Sequence, residues 1–275
     1  MNPDTLALLT WLVPLLLLAG AVGGVLAGLL GVGGGIVIVP ALYHIFSYLE
    51  IDPAVRMHLA VGTSLATIIP TSIRSVRAHQ ERGSFDPALF KSWIPGIVVG
   101  VVLGTWLATE ASFGTLTLVF ATVALLVAIY MAAGNPNWRR AKEQMPANPL
   151  NSLLAVFVGG VSAMMGIGGG TLSVPILNLF GIPIHRSVGT AAGFGLIIAI
   201  PGTLGFIVGG WENPLLPPFS LGYVNWLAFL IIVPATILMV PTGARLAHTL
   251  SQTGLRRAFA LFLGLTSLRM FSDVF

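Results

Sequence analysis

Apolar residues fall in ten runs separated by short polar connectors, at residues 6–30, 34–49, 59–74, 92–109, 114–133, 150–165, 169–183, 188–209, 221–241 and 257–273. A helix needs about 20 such residues to cross the hydrocarbon core of a bilayer. The second and seventh runs are short, and each starts at a cluster of glycines, so each is either a short crossing or a re-entrant hairpin. The pattern predicts an all-α polytopic membrane protein, one domain over residues 1–275.

Composition agrees: 56% of residues are hydrophobic and only 8% are charged, against about 25% charged in ordinary soluble domains. Mean hydropathy is +0.94, and the connectors are too short to hold a separate extramembrane domain. A pI near 10.0 and a net charge of +4 raise nucleic acid as a partner. The basic residues, however, sit in short connectors and form no stripe or tail, so the partner they fit is the lipid bilayer and nucleic acid is not expected. The chain has no cysteine, which removes disulfides and thiol-ligated metals. Asp4 and the lack of any Lys or Arg ahead of the first run mean that no positively charged leader precedes it, and 6–30 is expected to be retained as a span.

Ten crossings place Arg74, Arg77, Arg82, Lys91, Arg139, Arg140, Lys142, Arg186, Arg245, Arg256 and Arg257 on one side of the membrane. That is eleven of the thirteen basic residues, leaving Arg56 and Arg269 for the other side. A re-entrant second segment would separate the Arg74–Lys91 connector from the one holding Arg139, Arg140 and Lys142, and the positive-inside tendency would fail. The expectation is therefore ten crossings, both termini outside and the basic loops cytoplasmic. Trp11, Trp93, Trp106, Trp138, Trp211 and Trp226 mostly fall near segment ends, as an aromatic belt requires.

The chain repeats itself. Gly31-Val32-Gly33-Gly34-Gly35-Ile36-Val37-Ile38-Val39-Pro40 recurs 135 residues later as Gly166-Ile167-Gly168-Gly169-Gly170-Thr171-Leu172-Ser173-Val174-Pro175, and Val61-Gly62-Thr63 recurs as Val188-Gly189-Thr190 at an offset of 127. Five segments per copy is an odd number, so the copies should be inverted: repeat one at 1–133, a cytoplasmic linker at 134–149 rich in Asn, Pro and charge, and repeat two at 150–275. Gly20, Gly24 and Gly28, and likewise Gly96, Gly100 and Gly104, recur every fourth residue, which lets helix backbones approach closely.

Glycine clusters interrupt helices, and unwound backbone at membrane depth is tolerated where it is buried in protein or lines a wet cavity. A pair of broken helices in inverted halves points to a midplane binding site. Helix N-termini carry free N–H groups and about half a positive charge, which suits anions. No span has a Lys or Arg near its centre, so the donors available are backbone N–H groups with the hydroxyls of Thr63, Ser64, Thr171, Ser173 and Thr190. The competing readings of the breaks are a tight helix crossing and an anion channel with a glycine-lined constriction. Pro40 and Pro175 either open a half-helix or kink one.

His44 is an ionisable group inside a segment and so a functional candidate. His58 falls on His185 at the 127 offset, and the pair either gates and relays protons or caps helix starts at the interface. Arg269 and Asp273, four apart, either pair on one helix face or anchor the interface. A dinucleotide fingerprint fails because its third glycine position is Ile36, and neither a P-loop lysine, an HExxH nor a G-x-S-x-G sequence is found. No enzyme activity, cofactor or metal is expected.

The phrase Ala27-Gly28-Leu29-Leu30-Gly31-Val32-Gly33-Gly34-Gly35 with Val39-Pro40-Ala41-Leu42, its second copy from Gly166 to Leu177, and the Val-Gly-Thr elements resemble the TauE/SafE family over most of the chain. The resemblance implies an inner-membrane permease of a bacterial or archaeal cell that moves sulfite, organosulfonates or related small anions, commonly outward. It places the site at Gly33, Gly34, Gly35, Gly168, Gly169 and Gly170, with Thr63, Ser64 and Thr190 close by. Ala191 stands where symmetry would repeat Ser64, so the hydroxyl shell is not strictly symmetric. The oligomeric state is open between monomer and homodimer.

Overall fold

The computed structural model describes residues 3–30, 33–133, 144–246 and 252–274. Gly31, Val32 and residues 134–143 of the linker, with Trp138, Arg139, Arg140 and Lys142, lie outside the described residues. The chain forms α1 (Pro3–Leu30), α2 (Gly35–Tyr48), α3 (Pro53–Gln80), α4 (Pro87–Glu110), α5 (Phe113–Ala133), α6 (Leu150–Met165), α7 (Gly170–Leu179), α8 (Ile184–Gly209), α9 (Trp226–Leu246) and α10 (Gln252–Ser272). One element departs from the all-helical expectation: the ninth segment begins as a two-residue strand pair, β1 (Ser220–Leu221) with β2 (Val224–Asn225), before its helix starts.

Among the described residues, six helices are long and apolar enough to cross a membrane. Large apolar side chains such as Val102, Trp106, Leu204 and Leu238 face outward, as lipid contact requires. The expectation of ten full crossings is corrected for three segments. At 1.5 Å per residue, α2, α6 and α7 are only about 21, 24 and 15 Å long, short of the core thickness.

Glycine seams fix how the helices run. Gly20 and Gly24 of α1 abut the backbone at Ile232 and Thr236 of α9, so these two helices are parallel; Gly96, Gly100 and Gly104 of α4 abut Ser152, Val156 and Gly160 of α6, also parallel. The four-residue glycine spacing thus lets backbones meet without intervening side chains. By contrast α3 and α8 are antiparallel, since Gly62 meets Phe206 and Gly195 meets Ser72. In the same sense, Ser267 of α10 donates to the Ala121 carbonyl of α5 at 2.7 Å while Gly114 approaches Val274. Exchanging the first five helices for the second five converts the α1/α9 pair into α6/α4, and maps α3/α8 and α5/α10 onto themselves.

With these directions, the end of α3 and the starts of α4 and α8 lie together. That end of the bundle carries Arg74, Arg77, Arg82, Lys91 and Arg186 and is the basic end; Arg56 and Arg269 lie at the other. The Trp93 indole N–H, buried in the α4–α6 contact, donates to Asn151 Oδ1 at 2.9 Å. Replacing Asn151 by Leu should lower stability by about 1 kcal/mol, read as a lower thermal midpoint in detergent.

Candidate functional site

Both glycine breaks are tips of helical hairpins. The tip between α1 and α2 lies against the tip between α6 and α7: a Cβ on Gly33 would sit 3.3 Å from the Gly168 Cα and 3.2 Å from Ile68 Cγ2, and one on Gly35 would press on the Gly166 carbonyl and sit 2.9 Å from the Ile167 Cα. Ile68 is near the middle of the 28-residue α3, so the tips meet at mid-depth. Gly33, Gly34 and Gly166 have φ of 74°, 79° and 64°, the left-handed region open to glycine at little cost.

The short helices α2 and α7 both start at this junction and run away from it in opposite directions. Several of their first N–H groups donate to carbonyls of the breaks themselves, Val37 and Ile38 to Gly34, Thr171 to Gly168 and Ser173 to Gly169, and two positive dipole ends stand face to face. Among the described residues no carboxylate offsets them, because Glu50, Asp52, Glu81, Asp86, Glu110, Glu212 and Asp273 all lie at helix ends or in connectors. Such a field favours an anion. Pro40 and Pro175 are sixth in α2 and α7, inside the helices; they leave the carbonyls of Ile36 and Thr171 without the usual donor.

The hydroxyls of Thr63 and Thr190 have other partners. Thr63 Oγ1 accepts from the Asn225 N–H at 2.9 Å, and Thr190 Oγ1 accepts from the Asp86 N–H at 3.0 Å. Asn225 and Asp86 cap the starts of α9 and α4: Asn225 Oδ1 accepts from the Ala228 N–H, and Asp86 Oδ1 from those of Ala88 and Leu89. In each copy the preceding glycine makes room, Gly62 against the Tyr223 carbonyl and Gly189 against that of Ser84. The Val-Gly-Thr element is thus a clasp by which one half of the chain holds the fourth helix of the other. At the basic end Arg186 adds an ion pair to Asp86 at 3.1 Å.

Ser64 does reach the junction, donating to the Gly166 carbonyl at 2.7 Å. Thr171 and Ser173, in the first turn of α7, are 4% and 0% exposed, and their hydroxyls have no hydrogen-bond partner among the described residues. Their counterparts in α2 are Ile36 and Ile38. Reading the glycine phrase alone misses Ser162, also buried and unpartnered, whose counterpart is Ala27. Three hydroxyls found in only one copy, those of Ser162, Thr171 and Ser173, therefore lie around the second break, and the comparison of aligned copies is the signal that finds them.

The histidines lie away from the junction and from one another. His58 is buried near the start of α3, with Nε2 3.0 Å from the Ala108 carbonyl and its ring 4.8 Å from that of Tyr223. His185 is exposed at the start of the antiparallel α8, at the basic end. His44 sits edge-on to Tyr43, ring centroids 5.2 Å apart, about 14 Å along α2 from the junction. Arg269 and Asp273 form an i,i+4 pair at 3.7 Å. A cleft of about 510 Å³ between Trp211 and Gly222 has Glu212 as its one charged lining residue, the wrong sign for an anion.

Broken, apolar helices meeting tip to tip at mid-depth, in a bundle that presents apolar residues outward, define the class of polytopic helical membrane transporters. Within it the chain belongs to the family described as sulfite exporter TauE/SafE, whose profile matches residues 16–270. It is similar to a probable membrane transporter protein of Haemophilus influenzae, 34% identical over 94% of this chain and 97% of that one. It also resembles one of Methanocaldococcus jannaschii, 28% identical over 94% and 95%, and one of Bacillus subtilis, 25% identical over 80% and 83%. No solved structure matches the chain.

Proposed function

We propose that the protein carries small sulfur oxyanions, sulfite or organosulfonates, outward by alternating access at the junction of the two glycine hairpins. The observation that carries this reading is the start of α7, where the positive end of the helix dipole is joined by the buried, unpartnered hydroxyls of Thr171 and Ser173. An unsatisfied buried hydroxyl costs stability, so two in one helical turn mark a place where a ligand supplies the missing acceptors. The family's description supports the sulfur oxyanion.

The two halves act as inverted five-helix repeats around this point. The α1–α2 hairpin rests on α9 and α3, the α6–α7 hairpin on α4 and α8, so each can part from the other on its own support. Separation toward the basic end admits the anion to the start of α7; separation toward the other end releases it. With the basic end cytoplasmic, outward passage of each negative charge gains about 2.3 kcal/mol per 100 mV of inside-negative potential.

Reconstituted in liposomes, the protein should show saturable sulfite flux without unitary currents. The double substitution Thr171→Val with Ser173→Ala should reduce that flux at least tenfold while leaving the thermal midpoint equal or higher, since no hydrogen bond within the protein is lost. Lack of flux of sulfite and of sulfonates by the unaltered protein would sink the proposal, and discrete channel openings would replace alternating access with a pore.

A further inference from the structure

Between the junction and the basic end, one face of α3 is lined with hydroxyls. Ser64, Thr67, Thr71 and Ser75 follow at spacings of three and four, with Ser72 beside them, so all point to one side of the helix. Their exposures are 0%, 0%, 0%, 2% and 1% in that order. From Ser64 to Ser75 the row covers about 16 Å, and His79 continues the face one turn further, its Nδ1 3.2 Å from Ser84 Oγ.

Hydroxyls in helices ordinarily satisfy themselves by donating to the carbonyl a turn back. Thr67 and Thr71 do this, to Ser64 and Thr67 at 2.7 Å each. Ser72 and Ser75 do not, and neither has a hydrogen-bond partner among the described residues. Ser72 Oγ faces α8 at a place cleared of side chain: a Cβ on Gly195 would lie 2.6 Å from it. Two free donors are therefore held, fully buried, on the helix that connects the junction with the cluster of Arg74, Arg77, Arg82 and Lys91.

The other half lacks this feature. At the 127 offset, Ser64, Thr67, Thr71, Ser72 and Ser75 correspond to Ala191, Phe194, Ile198, Ala199 and Gly202 of α8. That face is packed with aromatic core instead: Phe194 stacks on Trp93 and Phe90 with ring centroids 5.2 and 5.9 Å apart.

We infer that the hydroxyl face of α3 is a second anion subsite, in which Ser72 and Ser75 donate to an oxyanion on its way between the basic end and the start of α7. The inference rests on the oxyanion reading above. The basic residues raise the local concentration of anions; the serine donors then replace part of the hydration shell that a sulfite or sulfonate loses before it reaches the junction. The route is one-sided, since no such row leads from the junction to the opposite end along α8.

The chain's lack of cysteine allows a direct test. Single substitutions Ser72→Cys and Ser75→Cys, in liposomes exposed on both faces to the anionic sulfonate reagent methanethiosulfonate ethylsulfonate, should react at least tenfold faster than Ser267→Cys, a buried position in the α5–α10 contact. Separately, Ser72→Ala with Ser75→Ala should lower sulfite flux at least tenfold at unchanged thermal midpoint. Unaltered flux in that double variant, within twofold, overturns the subsite. If the unaltered protein moves no sulfite, the proposed function fails on its own terms and the labelling decides the route: cysteines at 72 and 75 no more reactive than the one at 267 overturn it.

Discussion

Gly34→Ala is expected to destabilise the protein by about 2–5 kcal/mol and to abolish sulfite flux. Gly34 has φ of +79°, where an L side chain carries a penalty of about 1–2 kcal/mol. Its Cβ would also lie 2.6 Å from the Gly23 carbonyl oxygen and 3.0 Å from the carbonyl carbon. Both are backbone atoms of α1 that cannot rotate away, and forced overpacking adds about 1–3 kcal/mol. Gly83 separates the two contributions: its φ is +65°, but nothing lies within 4 Å of the added Cβ. Gly83→Ala should therefore lose only the backbone part, about 1 kcal/mol, and keep its transport. Thermal unfolding in detergent measures both, and equal losses at the two positions would mean that the hairpin tips are not packed on α1 as described.

This asymmetry between conformation and contact explains what the sequence could and could not reveal. The ten helices were legible because lipid-facing and core-facing positions alike must be apolar, so each helix stands out as an unbroken run. The helices start earlier than the apolar runs where a capping signal lies in the connector: Asp52-Pro53 and Asp86-Pro87 each place a capping carboxylate before a proline at the first helical position, and α3 and α4 begin there, six and five residues ahead of the apolar runs. The strand pair at 220–225 is too short to leave a periodic trace. The glycine phrases fall where the two hairpin tips meet. What they could not convey is that Gly33 and Gly168 touch, or that the second tip alone is ringed by hydroxyls, because those facts depend on how distant segments pack. The hydroxyl face of α3 was present in the spacing of residues 64–75, hidden among residues that read simply as span.

Thr63→Val should cost about 1–3 kcal/mol, and more than Thr190→Val, although the two threonines occupy equivalent places in the repeat. Either substitution keeps the side chain's shape and removes the acceptor that the backbone N–H of the opposing cap requires, and an orphaned buried donor loses its full desolvation cost. The Asn225 side of the clasp is closed: Asn225 is 7% exposed and Thr63 is 0% exposed, so water cannot take the lost place. The Asp86 side is partly open, the Asp86 side chain being 19% exposed in its pair with Arg186, and water can replace Thr190 there. Thr63→Ser retains the acceptor and should stay near the unaltered stability. Direct contact with substrate predicts a different outcome for Thr63→Val, namely a large fall in sulfite flux at an unchanged thermal midpoint. A lower midpoint, with flux per folded molecule preserved and stability rescued by Thr63→Ser, would establish the clasp instead. The Val-Gly-Thr element would then couple the two halves by fixing where α9 and α4 begin, so that one half cannot shift without carrying the fourth helix of the other.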